Sequence, residues 1–151
     1  MTVITHARRK SRLATMIDAA GGISVLRALA DAQSNLEALR PPSMKEVAVQ
    51  AARLGEITPD AHGEDDALNR LYLAATSIID AAGPFDLDDV CSASRALCDL
   101  IDLAGPDAPF DWRVPQVFSG SLTLMLGLPR QDPGRAAIRA HLDKLAAAKG
   151  A

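Results

Sequence analysis

The chain has 151 residues, a net charge of -3, 48% hydrophobic residues and only five aromatics, three Phe, one Tyr and one Trp. That length supports one domain that buries its own core without metals or disulfides. The acidic balance argues against nucleic acid, which calls for a basic patch and, for single strands, aromatic platforms. An interior rich in Ala and Leu suits closely packed helices, and no stretch keeps the period-2 alternation of a half-buried strand. The fold class expected is all-α, an antiparallel four-helix-bundle core with extra N- and C-terminal helices.

Residues 1–10 read as a flexible basic arm and 11–151 as a single helical domain. The arm carries Arg8, Arg9 and Lys10, with Arg12 just beyond. A short run of like charge on an unanchored tail reads as a solubilising segment. No apolar run approaches the ~20 residues that span a bilayer. Asp18 and Arg27 interrupt any signal-peptide core after the basic start, so neither membrane insertion nor export is expected.

A short helix is predicted over Ser11–Ala19, with Leu13, Met16 and Ile17 as its apolar edge and Gly21-Gly22 as its stop. From Ile23, Leu26, Leu29, Leu36 and Leu39 keep helical spacing to about Arg40. Pro41-Pro42 should end that helix, because an interior proline removes a hydrogen bond and clashes with the turn before it, at about 3 kcal/mol. Ser43 with Glu46 three residues on has the form of a capping box. A second helix is therefore predicted after a sharp bend, carrying Met44, Val47, Ala51 and Leu54. The stretch from Gly55 to Gly63 reads as a loop.

The stretch from Leu68 to Ile101 organises the rest. Leu68, Leu71, Ala75, Ile78, Ile79 and Ala82 recur at helical spacing and define a core face. At about 100° per residue, Asn69, Leu73, Thr76 and Asp80 fall on the opposite face. Acidic Glu64, Asp65 and Asp66 suit the positive end of this helix. A Gly83-Pro84 corner follows, with Phe85 predicted to point inward and Asp86 to cap the next helix. There Leu87, Val90, Cys91, Ser94, Leu97, Cys98 and Ile101 keep one stripe. Residues 65–82 and 87–104 should therefore be adjacent antiparallel helices.

Pro106 and Pro109 mark another loop. A helix beginning near Asp111 tolerates Pro115 in its first turn and should bury Val114, Val117, Phe118, Leu122 and Met125. Asp132-Pro133 is an N-cap followed by proline at the first helical position. It opens a last helix with Ile138, Leu142 and Leu145 together.

Chemistry is mostly absent. There is no glycine-rich phosphate loop, no His-Glu-x-x-His signature and no Gly-x-Ser-x-Gly elbow. Cys91 and Cys98 lie on one helix face with Cα atoms about 10 Å apart, beyond the ~7 Å limit of a disulfide. They read as small buried apolar residues in a reducing, cytoplasmic compartment. Asp18, Asp31, Asp86, Asp88, Asp89, Asp99 and Asp102 could supply paired carboxylates, but acids at helix ends and on solvated faces are usually only that. His6 and His62 read as solvated. His141 has Lys144 one turn on, which suits an imidazole holding a phosphoryl group, but its place on the last helix rather than mid-bundle is wrong for that job. No catalytic residue, metal ligand or cofactor is expected.

Small residues at Ala81-Ala82, on a helix of this pattern, carry a family resemblance. The stretch 66–104 resembles a histidine-phosphotransfer (HPt) domain, the four-helix bundle that relays phosphoryl groups between receiver domains in two-component signalling. That family's motif is His-x-x-Lys-Gly-Ser. With Ala81 on the motif's serine, Thr76 takes the place of the phospho-accepting histidine, Ile79 that of the lysine and Asp80 that of the glycine. Gly83-Pro84 also ends the helix where the family's runs on. The chain is thus similar to the degenerate HPt-like proteins of bacterial chemotaxis signalling, without the phospho-accepting histidine.

The resemblance implies a non-catalytic pseudo-HPt binding module that docks a signalling partner, such as a response-regulator receiver domain or a chemotaxis component. The docking face would be Asn69, Leu73, Thr76, Ser77 and Asp80. Two alternatives stand beside it. One is an active phosphotransfer protein using His141, and the other a structural or oligomerising helical protein with no signalling role.

Overall fold

The computed structural model describes Gly21, residues 24–106 and residues 108–149. The basic arm 1–10, His6 and the short helix expected over Ser11–Ala19 lie outside the described residues. The protein is all-helical among the described residues. Its elements are α1 (Val25–Leu54), α2 (Glu64–Ala82), a 3-10 turn (Gly83–Phe85), α3 (Asp88–Asp102), α4 (Val114–Gly127) and α5 (Pro133–Lys149).

The chain divides into two units, Met1–Ala38 and Leu39–Ala151. The described part of the first is the N-terminal half of α1. Ser24 Oγ accepts the Arg27 N–H at 3.3 Å and caps it. Arg27–Asp31 and Gln33–Glu37 form pairs one turn apart on its surface. Val25, Leu26 and Leu29 are exposed here, so the apolar spacing that predicted this helix is not a core stripe.

Pro41-Pro42 does not end the helix. α1 runs through both prolines for 30 residues. The two missing N–H groups would have faced the carbonyls of Glu37 and Ala38, both on exposed residues, where solvent can take the place of a lost donor. Ser43 and Glu46 are interior helix positions, not a capping box. Glu46 accepts from Gln50 Nε2 at 2.7 Å, one turn along.

The second unit holds the core. Val47, Ala51 and Leu54 of α1 enter it, and Ile57 anchors the loop that follows. Gly55 stands where the end of α1 meets α4, and a Cβ there would lie 3.0 Å from Ser119 Oγ. Gly63, at φ +97°, turns the chain into α2. Leu71, Ala75, Ile78 and Ala82 of α2 are buried as predicted, joined by Ala67 and Ala74.

The Gly-Pro-Phe corner reverses the chain within one 3-10 turn. Cys91 Sγ then lies 3.9 Å from the Ile79 carbonyl. Ile101 and Asp102 border the same recess as Leu68 and Asn69. The first pairing puts the start of α3 beside the end of α2 and the second puts the end of α3 beside the start of α2, so the two helices are antiparallel neighbours. Phe85 is buried beneath the corner, and the Arg40 guanidinium stands 5.2 Å from its ring centroid. Leu97 and Ile101 are buried with the rest of the α3 stripe.

Two local expectations are corrected. Asp86 does not cap α3. Its backbone is left-handed at φ 53°, closing the 3-10 turn, and Leu87 takes the N-cap position. Its carbonyl accepts from Arg130 instead. Val117 is 48% exposed, because the buried line of α4 is Val114, Phe118, Leu122 and Met125, and Val117 lies off that line. The start of α5 is as predicted, with Asp132 Oδ1 accepting the Gly134 N–H at 2.7 Å.

Candidate functional site

The face of α2 opposite its buried residues carries the residues singled out from the sequence. Asn69, Leu73 and Asp80 are exposed, and Thr76 and Ser77 are half-buried at its edge. Leu73 is 56% exposed. The fold brings these five onto one side of one helix because the core takes the opposite side. Its first turn, Glu64, Asp65 and Asp66, places negative charge where the helix dipole is positive.

The two hydroxyls on this face are turned back onto the helix. Thr76 Oγ1 lies 3.1 Å from the Tyr72 carbonyl and 3.0 Å from that of Leu73. Ser77 Oγ donates to the Leu73 carbonyl at 2.8 Å. Neither has a base among its hydrogen-bond partners, and Thr76 offers its methyl and a hydroxyl engaged with backbone. Such a face can make apolar and hydrogen-bonded contacts. It holds no activated nucleophile.

The remaining titratable groups fall outside this face. His141 is exposed on α5, with Lys144 exposed beside it. His62 lies in the turn before α2, where its backbone N–H donates to Asp60 Oδ1 at 2.8 Å. That bond, with Arg70 at 2.8 Å, holds Asp60 below the usual carboxylate range. Cys91 and Cys98 are buried free thiols. Burial pushes both up, Cys98 to about 11 with Asp102 and Asp99 adding to it, so neither is a thiolate at neutral pH. Among the described residues no group of three or more His, Cys, Asp or Glu could hold a metal ion.

One cluster was not read from the sequence. Arg135 is 4% exposed in the first turn of α5. Its Nε donates to Asp89 Oδ2 at 2.6 Å and its Nη2 to Asp89 Oδ1 at 3.0 Å. Nη1 donates to the Leu128 carbonyl at 3.1 Å and to that of Met125. One side chain therefore joins α3, the end of α4 and α5. Arg135 holds Asp89 below its ordinary value. A cation in the first turn of a helix opposes the dipole, and that was the one signal available for it. The cleft around it also holds Arg130, paired with Asp86, and Arg139, paired with Asp143.

No helix among the described residues is long and apolar enough to cross a membrane. Compared with known protein families, curated proteins and solved structures, the chain matches none.

Proposed function

We propose that the protein is a non-catalytic binding module, an HPt-like four-helix bundle whose α2 face docks a signalling partner such as a receiver domain. The carrying observation is Leu73, a large apolar side chain 56% exposed in the middle of a face the core does not use. Asn69, Thr76, Ser77 and Asp80 surround it with small polar groups, the composition of a contact surface with a polar rim. A lone exposed leucine is ordinary, and the reading rests on its place where the resemblance puts the docking centre. Thr76, Ile79 and Asp80 in place of histidine, lysine and glycine make the module a binder without a phosphoryl carrier. Asp80 would oppose the acidic pocket of a receiver domain in that family's usual docking mode, so the contact would be displaced toward Leu73.

The test is a pull-down against the receiver domains of the source cell, with Leu73→Arg as the probe. Binding should be lost while the melting curve stays within about 0.5 kcal/mol of the parent, as for most exposed substitutions. A folded Leu73→Arg protein that still binds would remove this face from consideration.

A further inference from the structure

A second surface of the same unit has a more defined shape. Three recesses meet where the start of α2, the end of α3 and the loop before α4 come together. Asp65 and Leu68 border two of them, and Ala104, Pro109 and Phe110 are shared with the third. Their apolar wall is Leu68, Tyr72, Leu103 and Phe110. Leu103 is 56% exposed and Tyr72 is also exposed, so the wall faces solvent. Phe110 is fixed in place by an edge-on contact with Trp112, ring centroids 5.1 Å apart, and Trp112 Nε1 donates to Glu64 Oε1 at 3.2 Å.

The rim of this groove has one sign of charge. Glu64, Asp65 and Asp102 are exposed along it, and none of the three is in an ion pair among the described residues. No Lys, Arg or His borders any of the three recesses. Low-dielectric walls lined by a single sign concentrate the field between them. An anionic lipid surface or a nucleic acid is repelled by such a rim. A cationic segment with an apolar stripe matches both features at once.

We infer that this groove docks a basic amphipathic segment of a partner protein, its apolar side on Tyr72, Leu103 and Phe110 and its Lys or Arg side chains on Glu64, Asp65 and Asp102. The site meets the α2 docking face at Asn69, which borders one of the recesses. Recognition is helix-in-groove, with apolar anchors supplying affinity and the acidic rim supplying steering and orientation.

Trp112 is the chain's single tryptophan and a native reporter of the groove. A synthetic Lys/Leu amphipathic peptide of about 15 residues, long enough to form a helix, is titrated into the full-length protein. Trp112 fluorescence and peptide anisotropy are followed, and circular dichroism checks that each variant is folded. Saturable binding that weakens with salt is expected. The double variant Asp65→Lys/Asp102→Lys should lose at least about tenfold in affinity. Glu46→Lys/Asp88→Lys makes the same change in net charge elsewhere, also with one acid in a first helical turn, and should stay within about twofold. Leu103→Ser, which leaves the charge untouched, should also weaken binding. Absence of saturable binding, equal losses in the two charge doubles, or an unchanged Leu103→Ser protein would each overturn the proposal. The α2 face is tested separately by Leu73→Arg, which should leave this titration unchanged.

Discussion

Arg135 and Asp89 are 46 residues apart in the chain and share two hydrogen bonds, 2.6 and 3.0 Å long, between α5 and α3. The guanidinium is nearly fully buried, while the Asp89 side chain keeps 28% of its exposure. The bidentate geometry and two further backbone acceptors offset the cost of taking an arginine out of water.

Asp89→Asn should therefore cost about 3 kcal/mol at neutral pH, the low end for breaking a buried pair because Asp89 retains water contact. Arg135 holds the folded carboxyl below 3.8, so the native state binds this proton less readily than the unfolded chain. Its contribution is full above the ordinary carboxylate value and is lost as pH falls through the depressed folded value. Urea unfolding at a series of pH values should show the gap between Asp89→Asn and the parent closing below about pH 4. Adding Arg135→Met to Asp89→Asn should recover part of the loss, since no unpaired charge then remains buried.

Leu97 is fully buried at the centre of α3. Leu97→Ala should cost about 2–5 kcal/mol in chemical denaturation, the range for a large side chain removed from a core. Leu103→Ala, six residues on but exposed, should stay within about 0.5 kcal/mol. Similar losses at both positions would contradict the burial pattern of α3.

Ser94 shares that stripe and is also fully buried, with no hydrogen-bond partner for its Oγ. An unsatisfied buried hydroxyl destabilises the folded state, and Ala removes it with little change of volume. Ser94→Ala should raise stability by about 1 kcal/mol. A comparable loss would reveal a bond that this hydroxyl makes.

Thr76 Oγ1 faces the carbonyls of Tyr72 and Leu73 and has no base to activate it. The wild-type chain should take no phosphoryl group from a phosphorylated receiver domain. Thr76→His alone should not introduce transfer, because Ile79, one turn on, brings no positive charge to a phosphoryl group and Asp80 adds a negative one, with a Cβ where glycine would allow closer backbone approach. Acid-labile phosphate on the wild type that disappears in His141→Ala would assign a carrier role to His141 instead.

The helices and most of their buried faces follow from the order of the residues. Burial against neighbours selects apolar side chains every three to four positions, and Leu71, Ile78, Leu97 and Ile101 record that period directly. The outward α2 face was legible for the same reason, as the complement of the core stripe. Period alone does not say whether a stripe meets a partner. Leu26 and Leu29 keep the spacing and are exposed, and Val117 lies just off the buried line of α4. The prolines mislead in a related way, because their local penalty is offset when solvent can satisfy the freed carbonyls and the helix beyond them is anchored by Val47, Ala51 and Leu54. The Arg135–Asp89 pair and the acid-rimmed groove belong to tertiary structure alone. Each joins two stretches distant in the chain, and no local rule relates a guanidinium on α5 to a carboxylate on α3, or Phe110 to the start of α2.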